Sequence, residues 1–98
     1  MKLQVLARAR AEIEKTARWY EKKAGLGEAF VSEIDTILRR VAALPLSYPP
    51  HPDDRDARRA LVGRFPYAVA FVVEADQIVV VAITHLRRRP RRRPLPRS

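Results

Sequence analysis

The stretch Leu61-Val62-Gly63-Arg64-Phe65-Pro66-Tyr67-Ala68-Val69-Ala70-Phe71 decides how this chain folds. An apolar run stops at Gly-Arg-Phe-Pro and resumes with alternating Tyr, Val and Phe, the pattern of one strand ending and the next beginning. Pro66 fits only the first position or an edge of the second strand, because it has no N–H to give a ladder. Downstream, Ile78-Val79-Val80-Val81-Ala82-Ile83-Thr84-His85 supplies a further strand after a turn at Ala75-Asp76-Gln77. Strands are therefore predicted over 57–62, 67–74 and 78–84, joined as a meander.

Upstream the period changes from two to 3.6. Ile13, Thr16, Ala17, Tyr20 and Ala24 fall on one helical face and predict a helix over 8–23, with Gly25-Leu26-Gly27 as its break. Phe30, Ile34, Ile37, Leu38, Val41 and Leu44 form a second, longer stripe. Pro45 stops it, since proline disfavours helical geometry in the residue before it. So short a connection implies an antiparallel helical hairpin. Leu3–Leu6 reads as a short first strand. Residues 45–56 carry four prolines, three aspartates and His51, and read as a surface loop in which His51 is incidental.

The strand alternation carries a hint about partners. Tyr67, Val69, Phe71 and Val73 share one face and Ala68, Ala70 and Val72 the other. Val79, Val81 and Ile83 likewise oppose Ile78, Val80 and Ala82. Both faces are apolar, whereas an antiparallel sheet with one wet side alternates apolar with polar. Two helices cover one face. More of this chain, another copy or a partner protein must cover the other.

Composition narrows the function classes. A chain of 98 residues is one domain, burying about two-thirds of its extended surface. It has no cysteine, so disulfides and thiolate metal sites are excluded, and His51 and His85 are too far apart for a zinc motif. No metal or cofactor is expected. No run is long enough to span a bilayer and no signal peptide is evident, which makes a cytoplasmic location the expectation. The net charge is +9, but seven arginines follow His85 with no acidic residue among them; subtracting them leaves +2 for the body. The chain thus divides into a domain over 1–86 and an Arg/Pro-rich tail over 87–98.

His85-Leu86-Arg87-Arg88-Arg89-Pro90 is the segment best suited to chemistry. A strand-end imidazole could act as general acid or base, with guanidiniums stabilising a phosphate. That reading sets His85 with the arginines that follow it, against a histidine bonded to backbone beside solvated arginines. Arg58 and Arg59 are adjacent on a strand and cannot face the same site. Either could join Arg64, Arg87 and Arg88 in an anion-binding surface, or bridge Asp53, Asp54 and Asp56. The tail is a polycation suited to nucleic acid or an acidic partner. On the first helix Tyr20 belongs to the apolar stripe, while Trp19 lies about 100° from it and could anchor a partner.

Taken in order, five pieces of this chain resemble the RelE/ParE superfamily of toxins from type II toxin–antitoxin systems, closer to the ParE branch. They are Trp19-Tyr20, Gly27 to Phe30, Leu44-Pro45, Arg64-Phe65-Pro66-Tyr67, and His85 with Arg87, Arg88 and Pro90. The resemblance implies an α+β fold of order β-α-α-β-β-β, a helical hairpin packed on a small antiparallel sheet. It implies a toxin that inhibits DNA gyrase by trapping the gyrase–DNA complex, contributes to plasmid stabilisation, and is neutralised by an antitoxin in a hetero-oligomer. Arg87, Arg88, Arg89, Arg91 and Arg92 are then the expected target contacts. Trp19, Tyr20, Phe71 and Val80 are the expected antitoxin contacts. Such a toxin is not expected to be an enzyme. The alternative is a ribosome-dependent mRNA endonuclease of the RelE type, with His85, Arg64 and Arg87 as its catalytic set, in which His85 would have to stand in for the tyrosine that this chain lacks after its last strand.

Overall fold

A computed structural model describes residues 1–87. The element order is β1 (Lys2–Val5), α1 (Ala7–Ala24), α2 (Gly27–Ala43), a 3-10 turn (Pro45–Ser47), β2 (Pro50–His51), β3 (Asp54–Leu61), β4 (Tyr67–Val73) and β5 (Gln77–His85). The strands form one sheet in the order β1-β5-β4-β3-β2. The meander β3-β4-β5 is antiparallel as expected, but β1 runs parallel to β5, so the sheet is mixed. A parallel pair needs a long crossover, and the helical hairpin between β1 and the meander provides it.

The helices end where backbone chemistry requires. Gly25 takes the left-handed conformation (φ 68°) and its N–H returns to Glu21 O, closing α1. Two residues on, the Glu21 carboxylate accepts the Gly27 N–H at 3.1 Å, satisfying a free donor at the start of α2. A Cβ at Gly27 would lie 2.9 Å from Glu21 Cβ, so only glycine lets the two helices approach this closely. The apolar stripe of α2 buries Phe30, Ile34, Ile37 and Val41, but Leu44, its predicted last member, is 67% exposed. Pro45 forces Leu44 out of helical geometry (φ −140°), and the stripe stops one turn early.

Beneath the helices lies the larger core, where Phe30, Ile34, Ile37 and Val41 meet Val69, Phe71, Ile78, Val80 and Ile83. Tyr20, Phe30, Phe65 and Tyr67 interlock there with ring centroids 4.8–6.4 Å apart.

Two departures from regular alternation shape the rest. The first is a bulge in β5: Ala70 pairs with Ala82 while Phe71 pairs with Val80, which leaves Val81 as the extra residue. Val81 and Ala82 consequently share the face away from the helices, and Ile83 turns to the helix side with Val80. Ile83 was expected beside Val79 and Val81; a bulge, which puts two residues opposite one, reverses that.

The second concerns residues 45–56, predicted as loop. They contain β2 and the start of β3, and His51 is buried at 3% exposure rather than incidental. Its Nε2 lies 3.2 Å from Thr84 Oγ1 on β5, three strands away, where a flat sheet would separate them by about 14 Å. The β2–β3 end must therefore curl back over the second sheet face. Ala57, Ala70 and Ala82 join Val79 and Val81 in a small core there, and their methyl side chains let the hairpin come close. More of this chain thus covers part of the second apolar face.

Candidate functional site

The β5 bulge sets the site. By returning Ile83 to the helix side, it also brings His85 there, two residues on and on the same face. Its ring packs edge-on to Tyr67, its cross-strand partner, with centroids 5.0 Å apart. Over this corner passes one flank of α1, carrying Glu12, Lys15, Thr16 and Trp19 at helical spacing. Together with Tyr20, Tyr67, Ile83 and His85 they enclose a cleft of about 440 Å³.

Each side chain in the cleft has a defined role. Trp19 is 55% exposed and stands edge-on to Tyr20 at 5.0 Å. Burial first, and the neighbouring Tyr67 hydroxyl second, push the Tyr20 phenol above its ordinary value of 10.0. Glu12 Oε1 lies 3.4 Å from the Ile83 N–H. His85 Nδ1 accepts the Arg87 N–H at 3.0 Å, so in the neutral ring the proton resides on Nε2. This wall can bind an aromatic or apolar group, and it offers one ammonium and one carboxylate at its rim.

The expected site residues are distributed unevenly. Trp19 and Tyr20 are in the cleft and His85 is at its end. Phe71 and Val80, expected to touch an antitoxin, are both 0% exposed beneath the helices, where no partner side chain can reach them. Arg58 faces the helix side and donates to Tyr48 O at 2.6 Å, fixing the chain after α2 rather than an anion. Arg64 sits at positive φ (70°) in the β3–β4 connection with its guanidinium 6.0 Å from the Phe65 ring. Among the described residues no hydrogen bond or ring contact joins it to His85. Arg87 is exposed and meets His85 through its backbone N–H. Arg88, Arg89, Arg91 and Arg92 lie outside the described residues. No group of acidic, histidine or cysteine side chains suited to a metal ion occurs among the described residues. No described helix is long and apolar enough to cross a membrane.

Sequence reading missed the contribution of Glu12, Lys15 and Thr16. Their spacing placed Glu12 and Lys15 on the polar side of α1 and Thr16 on its apolar stripe, and only the crossing of that helix over β5 makes them cleft residues.

Two comparisons place this two-helix, five-strand α+β domain among known proteins. The profile of the family described as "ParE toxin of type II toxin-antitoxin system, parDE" matches residues 3–90. The chain belongs to that family. A solved structure titled "Chromosomal ParDE TA system from P. aeruginosa" shares the fold, with a TM-score of 0.69 at 19% identity over 88% of this chain and 96% of that one. No protein of curated function matches.

Proposed function

We propose that this toxin poisons DNA gyrase, holding the enzyme on cleaved DNA, and that a cognate antitoxin silences it. The observation that carries this reading is the family match, which runs from β1 through His85 to residue 90 and so spans the whole described domain. The exposed turn after β5, with Arg87, and the arginines that follow in the sequence supply the positive charge for a gyrase–DNA surface. Trp19 and the shallow groove between α1 and α2, which includes Ala17 and the exposed Val31, supply the apolar surface for the antitoxin.

One observation favours the alternative of ribosome-dependent mRNA cleavage. The cleft is lined by His85, Lys15 and Glu12, and the His85 Nε2–H and the Lys15 ammonium are donors suited to a phosphate oxygen.

Purified protein incubated with gyrase and supercoiled plasmid, beside ribosomes programmed with mRNA, separates the two. Linear, gyrase-linked DNA with intact mRNA is the expected result. Cut mRNA with unaffected gyrase would instead establish the nuclease. The antitoxin reading is checked apart from the target: induction should stop growth, and co-expression of the antitoxin should restore it.

A further inference from the structure

The positive charge of the body is concentrated on α1. That helix holds six basic and three acidic residues, +3, while the other seven basic and eight acidic residues of 1–84 come to −1. Two of its three carboxylates point inward: Glu12 Oε1 lies 3.4 Å from the Ile83 N–H, and Glu21 accepts the Gly27 N–H. The cations point outward. Arg8, Lys15 and Lys22 are all exposed and recur every seven residues, a spacing that drifts only about 20° around a helix. They stand about 10.5 Å apart along one line. The exposed Arg18 comes between the last two in sequence, and among the described residues none of the four is in an ion pair.

Helix stability does not explain this ridge. Arg18 and Lys22 repel at four residues' spacing, as do Lys15 and Arg18 at three. Arg8 and Arg10 stand in a first turn with no acidic residue, where the helix dipole favours anions. Of the ridge cations, Lys22 in the last turn is the one placed as the dipole prefers. Such breaks of local electrostatic rules are expected where a partner supplies the missing charge. We propose that the outer ridge of α1 lies along the phosphate backbone of duplex DNA. The assignment rests on the reading of a toxin bound to gyrase-held DNA and deepens it, adding a helical surface to the arginines after β5. Lys15 lines the cleft with His85, two residues before Arg87, so the ridge adjoins those arginines. A duplex presents about one negative charge per 1.7 Å of its axis, so a ridge about 21 Å long meets several phosphates at once. That density favours a nucleic acid over an acidic protein as the occupant.

Binding of the full chain to a short, labelled DNA duplex, followed by fluorescence anisotropy across a salt series without gyrase, tests this. Lys15→Gln combined with Lys22→Gln should lower the slope of log affinity against log salt by about 2, as expected when two phosphate contacts are lost. Arg39→Gln combined with Arg40→Gln removes the same charge from α2 and should leave the slope unchanged. All four side chains are exposed, and circular dichroism checks that both variants fold. An unchanged slope in the ridge variant, or an equal fall in both variants, would overturn the ridge as a DNA surface. So would polyglutamate that binds as tightly as the duplex and depends equally on Lys15 and Lys22, the mark of an acidic protein occupant. Gyrase trapping with an unchanged slope removes the ridge and keeps the gyrase reading. A lowered slope with gyrase unaffected keeps the ridge and removes that reading.

Discussion

Phe71 shows what a single residue's placement decides. It lies fully buried between Val80 and the Tyr48 ring, whose centroid is 5.9 Å away. Phe71→Ala should cost about 3–5 kcal/mol in urea unfolding through the cavity it leaves, and any loss of antitoxin binding should track that instability. A stable Phe71→Ala protein with selectively lost binding would show that the core opens to its partner. Tyr20 gives a pH dependence. Its folded-state pKa is raised, so the stability it contributes is complete below the unfolded value near 10.0 and is lost as pH rises through the higher folded value. Alkaline unfolding should therefore be shallower in Tyr20→Phe, followed by circular dichroism; an identical alkaline limb would place the titrating group elsewhere. Gly27→Ala should destabilise by about 1–3 kcal/mol, because the new methyl meets Glu21 and the Ala17 carbonyl at 2.9–3.0 Å.

At the scale of elements, the curled β2–β3 hairpin makes the most specific claim. The His51–Thr84 pair is its buried tie to β5. A double-mutant cycle with His51→Ala and Thr84→Ala should return a coupling of about 1 kcal/mol. Additive effects would mean that the hairpin stays down without this bond. Elements also show where reading the sequence succeeds and where it stops. Both helices were legible because the stripes of Ile13 to Ala24 and Phe30 to Val41 report a period that only a helix satisfies. The bulge was not, since Ile78 to Ile83 is apolar throughout and a run without polar positions carries no register signal. His51 was hidden for a different reason: prolines and aspartates signal a turn whether or not the chain later folds onto a sheet. The cleft is a tertiary object, pairing Glu12 with Ile83 across 71 residues, and no local pattern encodes it.

For the whole molecule, charge is the organising quantity. The body carries +2 and the arginines after His85 supply the rest, so affinity for duplex DNA should depend on salt mainly through the tail. Replacing Arg91, Arg92 and Arg93 by Gln should reduce the slope of log affinity against log salt by about 3, as expected when three phosphate contacts are lost. An unchanged slope would show that those arginines do not rest on DNA. The fold follows from the same balance of local and distant information. A parallel β1–β5 pair, a curled hairpin and a one-residue bulge each depend on contacts between distant segments, whereas the family resemblance rests on short pieces whose order alone was readable.

Trp19, the chain's only indole, stands at the rim of the cleft and 55% exposed, outside the buried core. Its emission should already resemble that of an indole in water when the protein is folded. Thermal unfolding should then pass with little change in tryptophan fluorescence while circular dichroism records the full transition. Occupation of the cleft should do the reverse, shifting the emission to the blue with the fold intact. This protein thus carries an optical reporter that is nearly blind to its own stability and sensitive to whatever occupies the cleft.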